Sequence, residues 1–229
     1  MTPRSAATLV LVRSGNDGPE VLMLERIARG FFGGLWVFPG GALDPIDESA
    51  LAREVVSIPD GADDLPWRSA ALRETVEEVG FLLTDPPSGD AVGFNGPSLF
   101  EDLRSRGVTL DGRRLRLLSQ WVTPEGAPTR FDARFYLAVA TEDPVLIPQE
   151  REVTDVAWVR PQEALDRMDR GLWAMVTPTI HHLRWLAEHS EVGDIWSTAG
   201  RANMSRVEPI IEEDGSEVRV RLPAAAELP

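Results

Sequence analysis

The 229-residue sequence predicts a single α+β domain, a layered sandwich of helices against a sheet. Strand-like and helical stretches follow one another without the regular βα alternation of a doubly wound sheet or barrel, and no segment repeats. At ~100–200 residues per domain the length suits one unit with a sizeable core, so residues 1–229 are read as one domain.

Thr8–Val12 and Val21–Arg26 are apolar runs on either side of Ser14-Gly15-Asn16-Asp17-Gly18-Pro19, which reads as two strands and a polar loop. After a glycine-rich passage, Gly30 to Gly34, Leu35–Phe38 reads as a short buried strand leading into Pro39-Gly40-Gly41. Pro66 to Gly80 is helical: proline suits a first turn, Ala70-Ala71-Leu72 favours helix, and Gly80 fits a C-terminal cap. Residues 84–97 read as loop. Arg113–Val122 and Phe131–Ala140 are strands, the second placing Phe131, Ala133, Phe135, Leu137 and Val139 on one side. Val153–Val159 is another strand. Helices follow at Pro161–Arg170 and from Thr177 to about His189. Val207–Ile211 and Val218–Leu222 read as a closing hairpin around Asp214-Gly215, so residues 177–229 form a helix–hairpin extension. Trp67, Trp158, Trp173, Trp185 and Trp196 are expected to fill core.

Composition excludes several chemistries. All 23 basic residues are arginine and cysteine is absent. Schiff-base lysines, GxxxxGK[ST] phosphate loops, thiol nucleophiles, Cys-ligated zinc and iron–sulfur clusters therefore drop out. The net charge of −14 argues against nucleic acid as a partner. No apolar run approaches ~18 residues, and the N-terminus leads straight into a strand-like stretch. Neither a membrane span nor a signal peptide is expected, and the reading is a cytoplasmic protein.

The acidity is concentrated. Residues 41–78 carry ten acids against three arginines, half of the net charge. Within Arg73-Glu74-Thr75-Val76-Glu77-Glu78-Val79-Gly80, helical spacing puts Glu74, Glu77 and Glu78 on one face and Leu72, Val76 and Val79 on the other. The apolar stripe would pin the helix to a core while the three carboxylates converge outward. Like charges at that spacing repel, and a hard divalent cation relieves the repulsion. Carboxylates without His or Cys suit Mg²⁺ or Mn²⁺.

Phe38-Pro39-Gly40-Gly41 followed by Arg73-Glu74-x-x-Glu77-Glu78-x-Gly80 resembles the Nudix box, GX5EX7REUXEEXGU. The first glutamate of that pattern falls on Asp47, and its seven-residue spacer is 25 residues here, Glu48–Leu72. Residues 48–66, rich in turn formers, are therefore expected to be an insertion outside the catalytic core. The resemblance implies the Nudix fold, an α/β/α sandwich with a mixed sheet, and hydrolysis of a nucleoside diphosphate linked to another moiety with Mg²⁺ or Mn²⁺. It places the Gly40 carbonyl, Glu74, Glu77 and Glu78 at the metal, with Glu74, Arg73 and Glu77 in the catalytic work and Arg73 orienting Glu74. A further carboxylate from beyond the box is assigned to Glu152, with Glu150 in reserve.

A narrower resemblance covers more of the chain. The insertion, the run Gly33–Gly41, and Trp121-Val122-Thr123-Pro124 followed by Arg130–Phe135 look like the peroxisomal acyl-coenzyme A diphosphatase lineage. That implies cleavage of coenzyme A or an acyl-CoA into 3′,5′-ADP and a phosphopantetheine. Gly34-xxx-Phe38, Leu22 and Arg26 fit part of the coenzyme A signature; its second arginine falls out of register at Arg29. Arg26, Arg29 and Trp36 are the expected substrate contacts, Trp36 and Phe31-Phe32 by stacking on a base. The alternatives are an ADP-ribose or nucleotide-sugar diphosphatase and a non-catalytic ligand sensor of the same fold. Arg104, Arg106, Arg113, Arg114 and Arg116 are either surface charges or phosphate ligands, and His181-His182 reads as a partly buried polar pair. The expected partner is a small-molecule diphosphate, with a homodimer left open.

Overall fold

The computed structural model describes residues 2–28, 33–84, 98–140, 144, 146–199, 205–214 and 217–223. Two long strands, β1 (Arg4–Gly15) and β2 (Gly18–Arg26), pair antiparallel through the two-residue turn Asn16-Asp17, tighter than the loop expected from sequence. β3 (Trp36–Val37) pairs with β2 and β4 (Gly40–Ala42) with β1. After a 3₁₀ turn at Pro45–Glu48 come α1 (Ala50–Val55), β5 (Val56–Ser57) and α2 (Leu65–Val79). The second half holds α3 (Leu99–Ser105), β6 (Leu110–Asp111), β7 (Arg116–Val122), β8 (Phe131–Val139) and β9 (Val153–Val159). Helices α4 (Pro161–Asp169), α5 (Thr177–Ala187) and α6 (Val192–Ala199) follow, then β10 (Ser205–Val207), β11 (Ile210–Asp214) and β12 (Glu217–Arg221).

Among the described residues the main sheet has eight strands, in the order β10-β7-β8-β1-β2-β3, with β4 also on β1 and β9 on β2. It is mixed: β8 runs parallel to β1 and β10 to β7, and the other pairs are antiparallel. Period-2 alternation then feeds two cores. Leu9, Leu11, Leu22, Leu24, Tyr136 and Ala138 point to the α1–α3 side. Val10, Val12, Val21, Met23, Phe135 and Leu137 point to the α4–α6 side. The result is the predicted α/β/α sandwich. No helix among the described residues is long and apolar enough to cross a membrane.

Two expectations are corrected here. Residues 48–66 are not outside the core. Ala52, Val55, Val56 and Leu65 are buried in the larger core, and β5 pairs parallel with β6. Buried Asp64 accepts from Arg68 Nε (2.7 Å) and from the Tyr136 hydroxyl (2.9 Å). Arg68 Nη1 in turn donates to the Gly112 and Leu115 carbonyls. The segment packs into the core on the α1–α3 side of the sheet.

At the other end, Val207 belongs to β10, which extends the main sheet beside β7. The terminal hairpin is β11–β12 alone. α3 and α6 were not anticipated. The glycine-rich residues 29–32 and most of the 84–97 loop lie outside the described residues.

Candidate active site

The site assembles on the C-terminal half of α2 and the loop that precedes β4. Gly80, in the left-handed region at φ +71°, caps α2 by donating to the Val76 carbonyl. Leu72, Val76 and Val79 are buried beneath the helix as expected. The loop is tied to β1, since Leu9 N–H donates to the Pro39 carbonyl and Thr8 pairs with Gly40. A Cβ on Gly40 would come within 2.5 Å of the Ala7 carbonyl oxygen, and φ is +156°, so only glycine fits this approach.

Glu78 does not face outward as the helical pattern suggested. It is fully buried, with Oε2 accepting from Gly40 N–H (2.9 Å) and Oε1 from Arg26 Nη1 (2.8 Å). The same Nη1 reaches the Gly40 carbonyl at 3.4 Å. Fifty-two residues separate the two ends of that ion pair. Burial first, then repulsion from Glu74 and Glu152, pushes the Glu78 carboxyl up to about 8 against the pull of Arg26 and Gly40 N–H.

Arg73 is the second organising cation. Its Nε and Nη2 clamp the two oxygens of Asp47 at 2.9 and 3.0 Å. Its Nη1 donates to Glu74 Oε1 (2.9 Å) and Glu77 Oε2 (2.8 Å), and Nη2 also reaches the Ala42 carbonyl (3.2 Å). Burial works against the charge, but the bonds to Asp47 and the charges of Glu74, Asp47 and Glu77 outweigh it and hold the guanidinium pKa above its ordinary value. Burial raises Glu74 despite Arg73, with Glu152 and Asp47 adding repulsion. Burial likewise lifts Glu77 to about 7, opposed by Arg73 and aided by Glu74.

Glu152 reaches this cluster through the backbone. Ile147 N–H donates to the Val79 carbonyl and Gln149 N–H to that of Glu78, while the Glu152 carbonyl accepts from Ile27. The chain is thereby laid across the end of α2, and the Glu152 charge is felt at both Glu74 and Glu78. Four carboxylates, of Asp47, Glu74, Glu77 and Glu78, and the Gly40 carbonyl thus bond two guanidiniums, with the Glu152 charge nearby. Among the described residues no three acidic or imidazole groups stand in ion-holding geometry. The donor chemistry, all oxygen and mostly anionic, nevertheless fits Mg²⁺ or Mn²⁺.

A cavity of about 510 Å³ adjoins the cluster, with Arg26, Gly40 and Gly41 at one side. Its remaining wall is largely apolar: Val122, Phe131, Phe135, Met175, Val176 and Ile180. Of the expected substrate contacts, Arg26 lines this cavity, whereas Arg29 lies outside the described residues. Trp36 is corrected: it is 5% exposed and stacks on Trp173 at 3.7 Å, which makes it core rather than a base platform. Phe31 and Phe32 are outside the described residues.

Three of the five arginines named above, Arg113, Arg114 and Arg116, are engaged within the fold. Arg114 donates to the Thr84 and Val139 carbonyls, Arg116 to that of Trp196, and Arg113 pairs with Asp111. His182 is wholly buried; its Nδ1 bonds the Pro178 carbonyl (2.7 Å) and its Nε2 the Ser119 hydroxyl (2.8 Å). Sequence reasoning paired Arg73 with Glu74, and the structure has that bond and a second one to Glu77, while Glu78 turns away to Arg26 and Gly40. It missed the Asp47–Arg73 clamp and the Arg26–Glu78 pair, which span 26 and 52 residues and leave no local pattern.

The NUDIX domain profile matches residues 2–177. The human acyl-coenzyme A diphosphatase NUDT19 is 30% identical over 258 residues, covering 85% of this chain and 68% of its own length. A Caenorhabditis elegans protein named as a nudix hydrolase is 30% identical over 197 residues, covering 81% of this chain and 61% of its own. The chain thus spans roughly two thirds of the length of the curated relatives it matches. A crystal structure of a NUDIX hydrolase from Alicyclobacillus acidocaldarius superposes with a TM-score of 0.73 at 35% identity, covering 86% of this chain and 97% of that one. The chain belongs to the Nudix hydrolase family.

Proposed function

We propose that this protein is a divalent-cation-dependent diphosphohydrolase whose substrate is coenzyme A or an acyl-CoA. The observation that carries the reading is the adjacency of two unlike surfaces: a carboxylate cluster around Gly40 and α2, and a largely apolar cavity that opens beside it. A diphosphate whose one arm is long and apolar matches both at once. A long acyl chain would lie against Phe131, Phe135 and Ile180, the apolar part of a wall that also carries Thr8, Thr123, Thr177 and Thr179. The name of the human relative, an acyl-coenzyme A diphosphatase, points the same way.

Glu74, Glu77, Glu78, Glu152 and the Gly40 carbonyl would hold the cations. When bound, these would withdraw charge from the phosphate oxygens and lower the pKa of the attacking water. Glu74 accepts the proton of that water in this reading. Arg73 fixes the Glu74 and Glu77 carboxylates by its Nη1, and Asp47 fixes Arg73. All four of the REXXEE side chains are present, which favours turnover over a ligand sensor.

The test is a panel of coenzyme A, acyl-CoAs of graded chain length, ADP-ribose and nucleotide sugars, each with Mg²⁺ and with Mn²⁺, and with products identified by mass. The reading expects 3′,5′-ADP from the coenzyme A series with kcat/KM rising with acyl length. Preference for ADP-ribose or a nucleotide sugar would reassign the substrate, and no turnover of any diphosphate would refute the reading.

A further inference from the structure

We propose that Arg26 is a displaceable counter-ion, which bonds the Gly40 carbonyl and the Glu78 carboxyl and moves toward the adjoining cavity when a divalent cation takes those two oxygens. The inference rests on the functional reading above and deepens it, because it gives Arg26 two successive positions.

The first position is the one observed. A single nitrogen, Nη1, bonds both Glu78 Oε1 (2.8 Å) and the Gly40 carbonyl (3.4 Å). These are two of the oxygens assigned to a cation, so the guanidinium and the ion exclude each other there. Arg26 is the cation bonded to this wholly buried carboxyl.

The two guanidiniums of the cluster differ in how easily they can leave. Arg73 uses all three nitrogens, against Asp47, Glu74, Glu77 and the Ala42 carbonyl, and its side chain is 9% exposed. The Arg26 side chain is 30% exposed and is bonded through Nη1 alone in its contacts with Glu78 and Gly40. Its backbone is pinned, with N–H donating to Leu35 and the carbonyl accepting from Gly34. Only the side chain would swing.

The second position follows from the wall it already shares. Arg26 lines the cavity together with Gly40 and Gly41, at the junction where a diphosphate spanning cluster and cavity would lie. Guanidinium pairs with phosphate oxygens bidentately. A released Arg26 would therefore meet the phosphate that has just approached the cations. Metal binding and diphosphate binding then become coupled through one side chain.

The test uses the wild-type protein and Mn²⁺ alone, with the metal located by anomalous diffraction. The proposal expects Mn²⁺ on Gly40 O and Glu78 with Arg26 Nη1 beyond hydrogen-bond reach of Glu78 Oε1. Mn²⁺ in the cluster with the Arg26–Glu78 bond intact would overturn the exchange while leaving the functional reading standing. Absence of Mn²⁺ from the cluster would overturn both. In solution, methylenediphosphonate titrated in the presence of Mn²⁺ should bind about tenfold or more weakly to Arg26→Gln than to wild type. Without Mn²⁺ the two proteins should bind it alike. Equal affinity with Mn²⁺ present would remove Arg26 from the coupling.

Discussion

Arg73 and Asp47, 26 residues apart, form a two-point clamp in which Nε and Nη2 each meet one carboxylate oxygen. Asp47 is fully buried and is itself held by the Asp44 backbone N–H at 2.8 Å. The clamp leaves Nη1 free to hold Glu74 and Glu77 together.

Replacing Asp47 with alanine leaves a buried guanidinium with two of its bonds broken. Such a loss typically costs about 3–5 kcal/mol. Asp47→Ala should therefore lower the stability measured by urea unfolding by that order and depress kcat as Glu74 loses its fixed partner. A stability within 1 kcal/mol of wild type (the ~0.5–1.5 kcal/mol range of an ordinary hydrogen bond) would mean that Arg73 finds an equivalent partner.

Gly40 and Gly41 should respond differently to alanine. The nearest atoms to a Cβ on Gly41 would be those of the Glu74 carboxylate, at 2.5 Å. Gly41→Ala should fold normally, displace Glu74 and lower kcat by roughly 10²-fold, the usual effect of a misplaced reacting group. A Cβ on Gly40 meets the Ala7 and Thr8 backbone, so Gly40→Ala should lose stability instead. Circular dichroism melts beside kcat values separate the two.

Excision of residues 49–58 should prevent cooperative unfolding, because it removes Ala52, Val55 and Val56 from the main core and leaves β6 unpaired by β5. A soluble, cooperatively melting deletion protein would restore the view that the segment is dispensable.

His182 gives a pH signature far from the carboxylates. Burial, followed by the neighbouring His181 charge and against the pull of the Pro178 carbonyl, lowers its pKa to about 3 from an ordinary 6.5. The unfolded chain thus binds a proton below 6.5 that the native state refuses. The stability linked to His182 is complete above pH 6.5 and is lost as pH falls toward about 3, by at most about 1.4 kcal/mol per pH unit. His182→Gln should flatten that part of the stability–pH curve relative to wild type. Parallel curves would show that His182 takes up its proton in the native state.

Much of the fold was legible because its signals are local. β9 coincides with the apolar run Val153–Val159, and β8 carries the period-2 pattern that its two cores demand. α2 ends where Gly80 said it would. What was not legible depends on distant partners. The parallel docking of β10 on β7 moved Val207 out of the hairpin. The core role of Val55 and Val56 was hidden by the turn formers Pro59, Asp60 and Gly61 that follow them. Trp36 could not be told from a ligand platform until Trp173 was seen against it. In the site, helical spacing grouped the three glutamates, but it could not show that Glu78 is buried under Arg26.

In the proposed reaction, water attacks a phosphorus of a diphosphate with Glu74 as the base. Hydrolysis of an acyl-CoA in ¹⁸O-water with Mg²⁺ should place the label on a phosphate product. Under the same conditions Glu74→Gln should lower kcat by ~10²–10⁴-fold, the usual size of general-base catalysis, with a much smaller change in substrate affinity. Label on carbon, or a near-normal kcat in Glu74→Gln, would contradict the account.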